Sequence, residues 1–261
     1  MRKVLFFAVI LKQVTMRIRI YLGLVSLLMF FVFSSCKPKE TNSNLSIQIT
    51  PKFGMEAFQL DKTIADKNGR RMNFQRFRFY LSNIKLIKTD NTILPLKSVA
   101  YLDMEKNPAL TFNVDATNGD FKELQFSIGV DSIQNLTDPA SVASSSPLSA
   151  DNDMWWGVTQ KYVFSRLEGS ADTTVGGTGN LNRKLLYHLG QNENYRTVKL
   201  AKSISILADK KTTIKLNLDL EKVFFGTNTI DIRTEPVTHS NDNVTLATKF
   251  ADNFSQAFTI E

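Results

Sequence analysis

The sequence predicts an all-β protein: an antiparallel β-sandwich or barrel-like domain closed by one short C-terminal helix. Three observations point there. Apolar and polar residues alternate along several segments, as at Leu124, Phe126, Ile128 and Val130 and again at Ile214, Leu216, Leu218 and Leu220. Such period-two runs read as strands with one buried face. Turn-forming clusters punctuate them at short spacing: Lys67-Asn68-Gly69, Thr89-Asp90-Asn91, Thr117-Asn118-Gly119 and Ala208-Asp209-Lys210. Close spacing of this kind suits hairpins better than βαβ crossovers. Only Val244 to Phe258 carries apolar residues at helical spacing, with Leu246, Phe250, Phe254, Ala257 and Phe258 on one stripe.

The first segment reads as an address. Arg17 and Arg19 precede an apolar run from Ile20 to Phe33. At 1.5 Å per residue it spans about 21 Å as a helix, short of the roughly 30 Å bilayer core, and so it suits a signal-peptide core better than a membrane anchor. Phe33-Ser34-Ser35-Cys36 follows. Small residues ahead of a cysteine resemble the lipobox of bacterial lipoproteins, which makes residues 1–35 a signal peptide and Cys36 the lipidation site. Met1 to Lys12 duplicates a short apolar run, so we read translation as beginning at Met16. Residues 36–44 are polar, contain Pro38 and read as a lipidated tether; the β domain is expected over 45–261.

Charge and cysteine content narrow the function. Five of the 32 Lys and Arg, and none of the 25 Asp and Glu, precede Cys36, leaving 27 against 25 in the mature chain. The basic balance therefore belongs mainly to the discarded segment, and no nucleic-acid partner is expected. Cys36 is the single cysteine. With its thiol assigned to lipid, disulfides, CxxC zinc sites and a cysteine nucleophile are excluded.

Along the mature chain, Phe77, Phe79 and Leu81 occupy odd positions and Ile84 and Leu86 even ones, which requires a bulge near Ser82-Asn83. Further strands are expected at 45–50, 92–96, 99–104, 109–114, 158–167, 184–189, 195–200, 203–208 and 229–233. Residues 131–153, rich in Ser, Asp, Pro and Ala, read as a long loop, and glycine-rich 169–182 as a mobile hairpin loop. No P-loop, Gly-x-Ser-x-Gly or His-Glu-x-x-His occurs, and the chain has two histidines, His188 and His239.

The most informative run is Asp151-Asn152-Asp153-Met154-Trp155-Trp156-Gly157, which holds both tryptophans. The acidic residues read as a plain turn. In strand geometry adjacent side chains point to opposite faces, so one indole would enter the core and the other face solvent or a cleft.

Five segments then fall in register: Phe79-Tyr80-Leu81-Ser82-Asn83-Ile84-Lys85-Leu86, Leu124 to Asp131 with Asn135, Pro147-Leu148 leading to Met154-Trp155-Trp156, Tyr187-His188-Leu189-Gly190, and Ala251-Asp252-Asn253-Phe254-Ser255. In order and spacing they resemble the MbnP-like domain, from about residue 45 to the end. The resemblance implies an exported β-rich relative of the copper-binding partner of methanobactin systems. Such proteins are typically encoded beside a di-haem cytochrome peroxidase-like enzyme, which in the best-understood relatives oxidises a tryptophan at the metal site to kynurenine. That position corresponds here to Trp155 or Trp156, and His188 matches the family's histidine. Many relatives carry a histidine where Ser82 stands and another close to Asn135; this chain has neither. Copper favours imidazole or soft donors, which leaves His188 and His239 as metal ligands, with Met154 as a fallback.

The function expected is that of a membrane-anchored lipoprotein that binds copper, serves as substrate of the di-haem partner, or both, and is not itself an enzyme. The alternative is a cell-surface structural or glycan- or peptide-binding lipoprotein without metal. The expected location is the cell envelope, lipid-anchored through Cys36 at the periplasmic face or outer-membrane surface.

Overall fold

The computed structural model describes residues 42–261; the signal segment, Cys36 and the tether up to Thr41 lie outside the described residues. Thirteen strands form two sheets: β1 (Asn42–Phe53), β2 (Glu56–Ala57), β3 (Thr63–Ala65), β4 (Arg71–Lys88), β5 (Ile93–Asp103), β6 (Thr111–Thr117), β7 (Gly119–Ile128), β8 (Val163–Ala171), β9 (Arg183–Gly190), β10 (Arg196–Ile206), β11 (Thr212–Asp219), β12 (Val237–Thr238) and β13 (Phe258–Ile260). Among the described residues there are also two α-helices, α1 (Leu220–Phe225) and α2 (Val244–Gln256), and five single-turn 3-10 helices in the connections. No helix among the described residues is long and apolar enough to cross a membrane.

In the smaller sheet β1 is central, flanked by β11 and, on its other edge, by β6 and β2, with β13 beyond β11. The larger sheet runs β10-β7-β4-β8-β9-β12, with β3 and β5 also on β4. Most pairs are antiparallel, as expected, but β1 with β11 and β9 with β12 are parallel. Aromatic side chains join the layers: Phe79 on β4 and Phe126 on β7 both meet Phe258 on β13. From α2, Phe250 stacks on Tyr187 of β9, and Phe254 packs on Phe77 and Phe79. The result is the expected all-β sandwich, its core sealed at one side by the C-terminal helix.

β4 is the spine. Its alternating apolar residues run Met72, Phe74, then Phe77, Phe79, Leu81, then Ile84, Leu86, all buried, so the parity changes twice. The expected bulge is present: Asn83 has φ 51° and the pairings shift between Ser82 and Lys85. A second shift between Phe74 and Arg76 was not anticipated. It turns Arg76 and Arg78 onto the outer face.

Several expected boundaries move for local reasons. β1 begins at Asn42, paired with Thr117, so the last residues of the expected tether already belong to the sheet. The segments 92–96 and 99–104 are one strand, β5, and Pro95 is tolerated because β5 pairs only with β4. Likewise 195–200 and 203–208 form β10 across a bulge between Ala201 and Ile204. The strand expected at 158–167 starts at Val163, because Gly157 (φ 115°) and Lys161 (φ 62°) bend the chain into a turn. No strand forms at 229–233. There the Asp231 carboxylate accepts from the backbone N–H and guanidinium of Arg233 and closes a turn. Gly169 lies within β8, where a Cβ would stand 2.4 Å from the Asn73 carbonyl oxygen. The hairpin loop after it is anchored by the buried Asp172, which accepts from Thr174 and pairs with Arg71.

Candidate metal centre

The inner face of β9 buries Leu185, Tyr187 and Leu189. Alternation therefore puts His188 on the outer face, at the end of a cross-strand row: Asp103 on β5 opposite Arg78 on β4, Arg78 opposite Arg166 on β8, and Arg166 opposite His188. Beyond β9, the short parallel strand β12 places Val237 beside Leu186 and Thr238 beside Tyr187. One step further in the same register brings His239 to His188. Their rings meet edge to face, with centroids 4.9 Å apart at 85°. Ser240 secures the approach, donating to the carbonyl of His188 and accepting from the backbone N–H of Gly190.

The tryptophans occupy different places. Trp156 lies 6.4 Å from the His188 ring centroid at 40°. Room for it comes from Gly190, where a Cβ would stand 2.5 Å from Cζ3 of Trp156. Trp155 instead packs edge-on against Tyr162 at 4.7 Å, with the Lys161 ammonium over its ring at 5.8 Å. The expectation of one core indole and one exposed indole is corrected: both are half-buried against the core edge. The reason is that 154–157 is no strand. Asp153 is left-handed (φ 53°) and Trp155 makes only an isolated bridge to Tyr162. Met154 is buried in the core.

Each histidine has one ring nitrogen bonded to a carboxylate. His188 is buried, and its Nε2 lies 2.7 Å from Oε1 of Glu168. Its Nδ1 is buried without a hydrogen-bond partner. His239 is about two-fifths exposed at its side chain (41%), with Nδ1 2.8 Å from Oδ2 of Asp242. Glu168 also faces Arg166 Nε at 2.9 Å and, through Oε2, Arg76 Nη1 at 2.8 Å. The hydrogen bond from His188, helped by Arg166 and Arg76 and opposed by burial, holds the Glu168 carboxyl at about 2. Burial pushes Asp242 up, but hydrogen bonds from the backbone and ring of His239 outweigh it and leave that carboxyl below its ordinary value.

Ser82 and Asn135, the positions that the resemblance singled out for further histidines, are tied into the scaffold here. Ser82 is buried and hydrogen-bonded to the Tyr195 hydroxyl at 3.0 Å. Asn135 is buried, donates to Asn192 and accepts from the Tyr162 N–H. Among the described residues no three His, Cys, Asp or Glu side chains gather as a metal cluster. What the fold assembles is a pair of imidazoles with an indole alongside. Glu168 and Asp242 were not singled out in the sequence, and Gly190 entered only as the last residue of the Tyr187-His188-Leu189-Gly190 segment. The His239-x-x-Asp242 spacing was the one readable signal, since a short acidic side chain three residues on can reach back to close a turn.

The described residues thus form an all-β sandwich carrying an indole and two carboxylate-bound imidazoles on the outer face of one sheet. Family comparison is consistent with that: the MbnP family model matches residues 42–243. The chain belongs to the MbnP family. Among solved structures it resembles MbnP from Methylosinus trichosporium, with a TM-score of 0.52 and 14% sequence identity, over 72% of this chain and 80% of that one. At that identity the likeness concerns the fold. No curated protein matches the chain.

Proposed function

We propose that this protein is an exported, lipid-anchored copper-binding protein whose site is formed by His188 and His239, with Trp156 as the oxidisable residue beside it. The observation that carries the reading is the contact between the two imidazoles, 4.9 Å between centroids. Metal–imidazole bonds of about 2 Å require the bonding nitrogens of two ligands to come within roughly 4 Å of each other. Ring centroids 4.9 Å apart support a shared ion by bringing the two imidazoles into one place. The donor chemistry fits as well: Nδ1 of His188 is buried without a hydrogen-bond partner, a nitrogen that an ion would engage, and imidazole suits copper. When bound, copper would supply a soft, redox-capable cation held between two neutral nitrogens.

Family membership supports the second part, that a di-haem peroxidase-type enzyme uses this protein as substrate. Of the two indoles, Trp156 is the one next to the histidines. No catalytic role falls to the chain itself, whose acidic groups around the site are engaged by His188, His239 and arginines. The lipid anchor rests on Phe33-Ser34-Ser35-Cys36.

Coexpression with a cognate di-haem enzyme, followed by peptide mass mapping, tests the substrate reading. Conversion of the indole to kynurenine is expected at Trp156. Both indoles intact after exposure to active enzyme, or modification confined to Trp155, would contradict it.

A further inference from the structure

We infer that Glu168 and Asp242 are positioning residues that fix opposite tautomers on the two histidines, so that Nδ1 of His188 and Nε2 of His239 carry the lone pairs left for one shared ion. The inference rests on the copper reading above for its purpose, but its structural half stands without metal.

A neutral imidazole has one N–H and one bare nitrogen, and which is which follows from the hydrogen bond each makes. A carboxylate accepts only, when ionised. Glu168 is paired as a carboxylate with two guanidiniums, Oε1 lying 2.9 Å from Nε of Arg166 and Oε2 2.8 Å from Nη1 of Arg76. It therefore cannot turn a donor toward His188 or swing away, and Nε2 of His188 must be the N–H. The lone pair then falls on Nδ1, the atom that is buried with no partner.

Asp242 does the converse for His239. One carboxylate oxygen accepts from the backbone N–H of His239 at 2.7 Å, and the other lies 2.8 Å from its Nδ1. The side chain thus clamps backbone and ring together, and Nδ1 must be the N–H. Nε2 is left bare. The two carboxylates come from different elements, β8 and the turn after β12, yet each removes the wrong tautomer from its own histidine. Ligand histidines are commonly oriented in this way by an outer carboxylate, whose loss typically costs 10–100-fold in metal affinity.

The test is nitrogen-15 NMR of histidine-labelled, metal-free protein, with copper titration in parallel. His188 should report the Nε2–H form and His239 the Nδ1–H form. In Glu168→Ala, His188 should populate both tautomers while His239 keeps its own, and copper affinity should fall about 10–100-fold. Glu168→Gln, whose amide oxygen can still accept, should recover part of both losses and guards against a variant that fails to fold. A mixed or reversed tautomer of His188 in the unmodified protein would overturn the inference. So would a Glu168→Ala variant with the parent's tautomers and affinity. Opposite tautomers in a protein that takes up no copper would uphold the positioning of the rings and refute the copper reading alone.

Discussion

A methyl group added at Gly190 would stand 2.5 Å from Cζ3 of Trp156 and 2.9 Å from the Tyr162 carbonyl oxygen. Gly190→Ala should therefore displace the indole, at a cost of about 1–3 kcal/mol from overpacking, and change tryptophan emission. Urea unfolding and fluorescence check this, and a variant matching the parent in both would show that the loop gives way freely. Glu168 supplies a pH signature. Its carboxyl sits at about 2 in the fold against an ordinary 4.5. A depressed carboxyl contributes stability that is complete above the higher value and lost as pH falls through the lower one. The stability gap between the parent and Glu168→Gln should thus be widest near neutrality and narrow as pH falls from 4.5 toward 2. A gap independent of pH would mean that the carboxylate's charge contributes nothing. At this scale the sequence made both histidines and both tryptophans legible as residues. It did not show their pairing. That depends on β12, a two-residue strand with no alternation to read, and on Gly190, whose missing side chain matters only once the 154–162 loop lies on it.

The helix α2 was legible because its stripe of Phe residues keeps one period over the whole element. It ends at Gln256, and Phe258, which the same stripe would have included, instead starts β13 and faces the core from a strand. Phe254 shows what the stripe does: fully buried, it touches Phe77, Phe79, Phe250 and Phe258. Phe254→Ala should cost about 3–5 kcal/mol, read from denaturant midpoints. A loss below about 1 kcal/mol, the scale of a single buried methylene, would make the helix peripheral. The short helix α1 escaped notice, although Asp219 caps it by accepting from the Glu221 N–H. Six residues are too few to establish a helical period. β8 was misplaced for a different reason. Val158 and Tyr162 continue an apolar pattern through a turn that left-handed Lys161 makes. The misplaced frame ended at residue 167, one residue short of Glu168.

The whole domain has one hydrophobic core, to which both sheets and both helices contribute, and no cysteine lies among residues 42–261 to reinforce it. Thermal unfolding should be a single transition, coincident by far- and near-ultraviolet circular dichroism; two separated transitions would mean that the sheets fold independently. Alternation carried the fold class. The parallel pairings β1–β11 and β9–β12 could not be read, because a strand's own sequence does not reveal the direction of its neighbour. It is the second of these that creates the candidate centre, by bringing a loop histidine onto a strand histidine. The most direct test of the central claim is native intact-mass analysis of the purified mature protein during copper titration, with His188→Ala and His239→Ala alongside. A complex with one copper per chain, lost in either variant while the fold survives, is the expected result. No copper retained by the parent, or equal uptake by parent and both variants, would contradict the account.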